Sequence, residues 1–343
     1  MKQVSFRRLA ALVANTAYSR RVCQLLYSIV GIFLFVSASW AADGFERRDV
    51  KFKSQGLNLA GWLYVPKGNA EKHPAIVMAN GYSLPKEGYM DVFAEPLAAA
   101  GFVVLVFDYR FLGASEGEPR QQIFPQAQIE DYRNAITWIS LQKEVDAKRI
   151  GLWGISYSGG HVLHLGAYDK RVKAVASLLP VVDALQGYWV RTVRQDLLPD
   201  LRAKLAADRA ERYATGKINY MPLVAPEGQP SVIPGKAAYD FFMGVPKVAP
   251  NWKNQVTFES IEQGMEYQPG AAIHLISPTP LLMVVATHDT TAPTDIALTA
   301  YSRALEPKTL IFSKGTHWAG ENEQEDAKLV GPVVDWFKQQ LSK

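Results

Sequence analysis

The stretch Arg149-Ile-Gly-Leu-Trp-Gly-Ile-Ser-Tyr-Ser-Gly-Gly-His161 decides how the chain folds. Ile150, Leu152 and Trp153 are strand formers, and no polar side chain interrupts them before Gly154. His161-Val-Leu-His-Leu-Gly-Ala-Tyr168 then has helical character. Between them lies a tight turn, Gly154-Ile-Ser156-Tyr-Ser158, of the form G-x-S-x-G with serine at the last position. A serine on such a turn projects its hydroxyl beyond the carboxyl end of a strand. It also stands at a helix N-terminus, where free N–H groups favour negative charge. Small residues flank it because the strained turn leaves little room for a Cβ. The bare motif is common, and a Gly/Ser-rich turn without chemistry satisfies it too. A second frame, Ser156-Tyr-Ser158-Gly-Gly160, offers Ser158 as nucleophile; Ser156 is preferred because it directly ends the apolar run.

On the N-terminal side, Asp49–Ser54 and Leu57–Val65 alternate apolar and polar around Gln55-Gly56, the pattern of a β-hairpin. Pro74–Ala79 and Phe102–Asp108 are continuous apolar runs, expected of strands covered on both faces. Met90–Ala100 and Ile129–Leu141 read as helices between strands. On the C-terminal side come a strand at Val172–Leu178, a strand at Pro280–Ala286, a helix at Pro293–Leu305, a strand at Pro307–Phe312 and a closing helix at Ala327–Leu341. Strands alternating with helices predict an α/β fold with a mostly parallel sheet and an N-terminal antiparallel hairpin. Residues 183–277 break that rhythm. They include a charged helical stretch at Arg191–Arg212, a Pro/Gly-rich excursion at Pro222–Pro234 and a short helix at Ala237–Met243. The insertion is longer than an ordinary connection. It is expected to be a cap over the carboxyl edge of the sheet, after the sixth strand, with a lateral subdomain as the alternative. The core is then 42–182 and 278–343. The aromatics of the insertion, Tyr188, Trp189, Tyr213, Tyr220, Phe241 and Phe242, either form its own small core or line an apolar pocket.

A serine hydroxyl needs a base, and the base an orienting carboxylate. Two loops supply them in the order serine, acid, histidine. Thr287-His-Asp289-Thr-Thr-Ala-Pro293 follows one expected strand, and Ser313-Lys-Gly-Thr-His317-Trp follows the next. Ser156, Asp289 and His317 are therefore the candidate catalytic residues, with Asp295 and Asp183 as spare acids. Asp289 also suits a helix cap or turn, and His317 a surface loop. The oxyanion formed by attack needs N–H donors. Tyr157, directly after the serine, is one candidate. Tyr82, in the loop after the Ala75–Ala79 strand and following Gly81, is the other. His161 and His164 share a helix face, but no neighbouring carboxylate completes a zinc pattern, so packing is expected of them. No metal or organic cofactor is expected.

The first 41 residues differ from the rest. They hold five bases, Lys2, Arg7, Arg8, Arg20 and Arg21, no acid, and an apolar run from Leu25 to Ala38 followed by Ser39-Trp-Ala41. This is the pattern of a signal peptide cleaved after Ala41. An uncleaved anchor through residues 22–41 is the rival, although the run falls short of the ~20 residues a span needs. Export to the periplasm or beyond is the expectation. The whole chain has 37 Lys and Arg against 33 Asp and Glu; without the leader the balance is 32 against 33, so its basicity argues for no nucleic-acid partner. The single cysteine, Cys23, lies in the leader, which leaves no disulfide and no cysteine nucleophile in the remainder.

With these residues in view, the chain resembles the α/β-hydrolase superfamily over about residues 47–340, and is similar to its dienelactone-hydrolase-like and Xaa-Pro-peptidase-like (cocaine-esterase-like) groups. The resemblance rests on Asn80-Gly81-Tyr82 with Lys86-Glu87, Asp108-Tyr-Arg110 with Gly113-Ala-Ser-Glu-Gly117, the serine turn, Pro278-Thr-Pro280 leading to Asp289 and Pro293, and Gly315-Thr-His317-Trp318. It implies a Ser-Asp-His hydrolase of a small acyl substrate. An ester comes first, then thioester, amide or lactone; an acyltransferase, an Xaa-Pro peptidase and a non-catalytic binding protein are the alternatives. Family members commonly have His-Gly where this chain has Asn80-Gly81, Gly where it has Ala286, and Gly where it has Ser158.

Overall fold

The computed structural model describes residues 44–68, 72–189, 198–318 and 323–341. The expected leader and Ala41 lie outside these, as does the start of the charged stretch at 191–212. Gln55 and Gly56 both have positive φ (46° and 89°), as a tight hairpin turn requires. They join β1 (Phe45–Ser54) to its antiparallel partner β2 (Leu57–Pro66). β2 also pairs antiparallel with β4 (Val103–Phe107). From β4 onward the sheet is parallel, through β3 (His73–Ala79), β5 (Val145–Ile155), β6 (Val172–Leu178), β9 (Leu281–Ala286) and β10 (Lys308–Ser313). The strand order is β1-β2-β4-β3-β5-β6-β9-β10. This is the expected mostly parallel α/β sheet with its antiparallel hairpin.

The continuous apolar runs follow from cover on both faces. Ile76, Met78, Val104, Val106 and Trp153 point to one side. There they pack with Phe93 and Leu97 of α1 (Asp91–Ala99) and with Val333 and Phe337 of α8 (Glu323–Leu341). Val77, Leu105 and Leu152 point to the other. They meet Ile129, Tyr132 and Ile136 of α2 (Pro125–Ser140) and Val162 and Leu163 of α3 (Tyr157–Tyr168). Each fully buried apolar side chain of this kind contributes about 1.5–3 kcal/mol, so the two-sided sheet fixes the position of every loop at its carboxyl edge. The last helix between strands, α7 (Thr294–Arg303), links β9 to β10.

Between β6 and β9 runs a long excursion. It holds a π-helical turn (Ala184–Trp189), α4 (Leu198–Thr215), α5 (Lys236–Gly244), α6 (Phe258–Met265) and a 3-10 segment (Pro269–Ile276). Two short strands, β7 (Tyr220–Met221) and β8 (Val256–Thr257), pair antiparallel within it. Helix α6 escaped the sequence reading. Its start is set by Thr257, whose Oγ1 accepts the Ser260 N–H at 3.2 Å. The excursion is tied to the core by polar contacts, Ile123 N–H to Ser260 Oγ (2.7 Å) and Gly270 N–H to the Val182 carbonyl (2.9 Å), and its two ends are joined by Ala184 N–H to the Tyr267 carbonyl (2.9 Å). Among the described residues no helix is long and apolar enough to cross a membrane.

Candidate active site

The turn after β5 is tight. Ser156 has φ 57° and ψ −113°, a conformation that a non-glycine residue adopts only when its surroundings impose it. Here the Ser156 N–H bonds the Leu178 carbonyl at 2.8 Å, and the Ser156 carbonyl accepts from Val181 N–H at 3.0 Å. An ideal Cβ at Gly154 would stand 2.3 Å from the Ser158 carbonyl oxygen, so no side chain fits there. The helix that follows, α3, begins at Tyr157.

The structure brings the three sequence-predicted residues together. His317 Nε2 lies 2.8 Å from Ser156 Oγ, and His317 Nδ1 lies 2.7 Å from Asp289 Oδ2. A carboxylate only accepts, so the Nδ1 proton goes to Asp289 and Nε2 is left to accept from the serine hydroxyl. Asp289 and His317 are buried, 6% and 8% exposed. The other carboxylate oxygen, Asp289 Oδ1, accepts the N–H groups of Thr291 (2.8 Å) and Ala292 (2.7 Å). Those two backbone donors fix the carboxylate, and no sequence motif announces them. Asp183 instead accepts Gln186 N–H at 2.9 Å, and His288 faces Thr287 Oγ1 at 2.8 Å.

Ser158 has different company. It is fully buried; its hydroxyl donates to the Asn80 carbonyl, and the Tyr109 hydroxyl, 2.6 Å away, is left to donate to it. Two of the three departures from the usual family pattern, Asn80 and Ser158, thus touch one another. The Asn80 side chain closes its own loop. Oδ1 accepts Gly81 N–H at 2.8 Å, and Nδ2 donates to the carbonyls of Pro85 (3.0 Å) and Gly88 (2.7 Å). An ideal Cβ on Gly81 would lie 3.1 Å from Ser156 Cβ and 3.6 Å from its Oγ, which puts the Gly81–Tyr82 peptide against the serine. The rings of Tyr82 and Tyr157 meet edge to face, centroids 4.9 Å apart. Burial pushes both phenols up, so both stay protonated.

His161 has a hydrogen-bonding partner at each ring nitrogen. Its ring nitrogens face the Tyr267 hydroxyl (2.6 Å) and Gln128 Oε1 (3.0 Å), and burial lowers its pKa to about 3. Gln128 and Tyr267 lie far apart in sequence, and no local signal links them. The His164 ring lies against Tyr168, with centroids 4.7 Å apart, and burial lowers its pKa as well. His73 Nδ1 faces the Gly101 carbonyl at 3.1 Å.

A cavity of about 740 Å³ opens onto Ser156 and His317. Its walls are mostly apolar and include Trp189, Phe241 and Phe242 from the excursion. Trp189 is 6% exposed and Phe242 1%. Phe242 stacks on Trp252 (5.8 Å between centroids) and meets Trp318, which neighbours His317. Phe241 and Phe242 therefore serve both roles that the sequence left open, packing on each other (5.3 Å between centroids) and facing the cavity, while the Tyr188 side chain lies outside what the structure describes. Tyr213 and Tyr220 are exposed.

The model of the X-Pro dipeptidyl-peptidase (S15) family matches residues 55–219. The chain is 33% identical over 268 residues to the thiohydrolase aneE of Aspergillus aculeatus, covering 75% of this chain and 81% of that one. It is 31% identical over 278 residues to the polyketide transferase grgF of a Penicillium species (80% and 90%). It is 32% identical over 290 residues to the quorum-quenching protein AidA of Acinetobacter baumannii (84% and 94%). The crystal structure of the α/β hydrolase GrgF from Penicillium sp. sh18 superposes with a TM-score of 0.75 at 27% identity, covering 87% of this chain and all of that one.

Proposed function

The chain belongs to the α/β-hydrolase superfamily and is an enzyme of that class, and from this premise we propose that it is a serine hydrolase that cleaves a carboxylic ester or thioester through an acyl-enzyme. The observation that carries the proposal is the hydrogen-bonded line Asp289–His317–Ser156 ending in the cavity. In this reading Ser156 Oγ attacks the carbonyl carbon while its proton passes to His317 Nε2. Asp289 holds the Nδ1 proton and stabilises the imidazolium. The backbone N–H groups of Tyr157 and Tyr82 receive the oxyanion. His317 then returns the proton to the departing alcohol or thiol. Water, activated by the same histidine, releases the acid and restores Ser156.

The test is hydrolysis of a panel of p-nitrophenyl esters. Ser156→Ala should lose at least about 10³ in kcat with an unchanged melting curve; retained turnover would remove Ser156 from the mechanism. A second reading, acyl transfer to a bound alcohol, is favoured by the polyketide transferase among the relatives. Adding hexanol and finding only free acid rejects it. The excursion is proposed to act as the cap of the site. Export through the N-terminal segment is proposed on its composition alone; mass spectrometry of the mature N-terminus after expression in a Gram-negative host decides it.

A further inference from the structure

The cavity does not lie on one side of Ser156. Phe93, Trp153 and Leu329, which line it, belong to the apolar layer on the face of the sheet covered by α1 and α8. Val181, Trp189 and Ile233, which also line it, belong to or pack against the separate apolar cluster that joins the layer on the opposite face to the interior of the excursion. Ser156 follows the central strand β5, whose neighbours β3 and β6 flank it on each side. The cavity therefore runs across the carboxyl edge of the sheet, with apolar wall on both sides of the serine. Among the described residues that line it, the charged side chains are Asp240 and Lys314, both exposed, apart from the titratable His317.

From this layout, and resting on the hydrolase reading above, we infer that the substrate is apolar on both sides of the scissile carbonyl: an ester joining an apolar acyl chain to an apolar alcohol. A tetrahedral carbon bound to Ser156 Oγ carries two remaining arms besides the oxyanion, the acyl chain and the leaving oxygen. Each has an apolar wall to lie against, and each buried methylene adds to binding in proportion to its area. A polar, hydrated leaving group would lose its water in one of these arms without a partner. Hydrolysis yields one acid and one alcohol: the O–H of water is divided between them, and no oxidant or further reactant is needed.

The experiment measures kcat/KM for methyl hexanoate, hexyl acetate and hexyl hexanoate on the purified full chain. The result expected is that hexyl hexanoate exceeds each of the other two by at least about tenfold, because only it fills both arms. Two blocking variants then separate the arms. Leu329→Trp and Ile233→Trp should each depress one of the two single-arm substrates, and not the same one. Methyl hexanoate turned over as fast as hexyl hexanoate would overturn the inference, since the alcohol arm would then contribute nothing; so would both variants acting on the same substrate. If a variant fails to fold, the wild-type series alone still decides. A folded chain that hydrolyses none of the three, nor any p-nitrophenyl ester, contradicts the hydrolase reading itself, and the inference falls with it.

Discussion

Ser158 Oγ has one proton, and the Asn80 carbonyl takes it. Ser156 Oγ, two residues away, faces an imidazole nitrogen instead. Ser158→Ala should therefore cost stability, about 1–3 kcal/mol from leaving the Tyr109 hydroxyl and the Asn80 carbonyl unpartnered, while ester hydrolysis survives. Chemical denaturation alongside an esterase assay reads both, and loss of hydrolysis at unchanged stability would return Ser158 to the mechanism. The Tyr157 hydroxyl is buried and has no hydrogen-bond partner among the described residues. Removing an unsatisfied group relieves its desolvation cost, so Tyr157→Phe should be neutral or stabilising and should leave kcat intact; a large drop in kcat would place that hydroxyl on the substrate. Gly81→Ala brings a methyl within 3.1 Å of Ser156 Cβ. A displaced nucleophile loses rate steeply, so kcat should fall toward about 10²-fold while the fold is kept.

At the scale of elements, α3 carries a buried histidine under the site. His161 is neutral in the folded chain, with a pKa lowered to about 3, against an ordinary 6.5 when unfolded. Between those values the unfolded chain binds one proton more, so stability falls as pH drops from 6.5 towards 3, at about 1.4 kcal/mol per unit from this group. His161→Phe should flatten that part of the stability–pH curve relative to the wild type, in urea titrations at several pH values; an unchanged slope would mean that the histidine is charged when folded. The elements themselves were largely legible. Strands β3, β4 and β9 announce themselves because two-sided cover demands apolar residues at every position. The Ser156, Asp289 and His317 loops were legible because each follows such a strand. What was not legible is held by contacts distant in sequence: Tyr267 on His161, Ser260 on the Ile123 N–H, Trp252 Nε1 on Ser83 Oγ at 3.3 Å. Helix α6 and the pair β7–β8 depend on such contacts, and no periodicity marks them.

For the whole molecule, the proposed reading is of an enzyme acting on neutral, apolar material at the cavity on the sheet edge. Charged side chains reach the cavity only at Asp240 and Lys314 among the described residues. Electrostatic steering then contributes little, and kcat/KM for a neutral ester should change less than about twofold between low and high salt. A steep salt dependence would point to a charged substrate instead. The central claim is that Ser156 is a nucleophile activated by His317. The measurement that tests it most directly is intact-mass labelling of the purified chain with a fluorophosphonate, followed by peptide mapping. The account predicts a single adduct on Ser156, lost in His317→Ala. An adduct on Ser158, or none on a folded chain that also leaves p-nitrophenyl esters untouched, would contradict it.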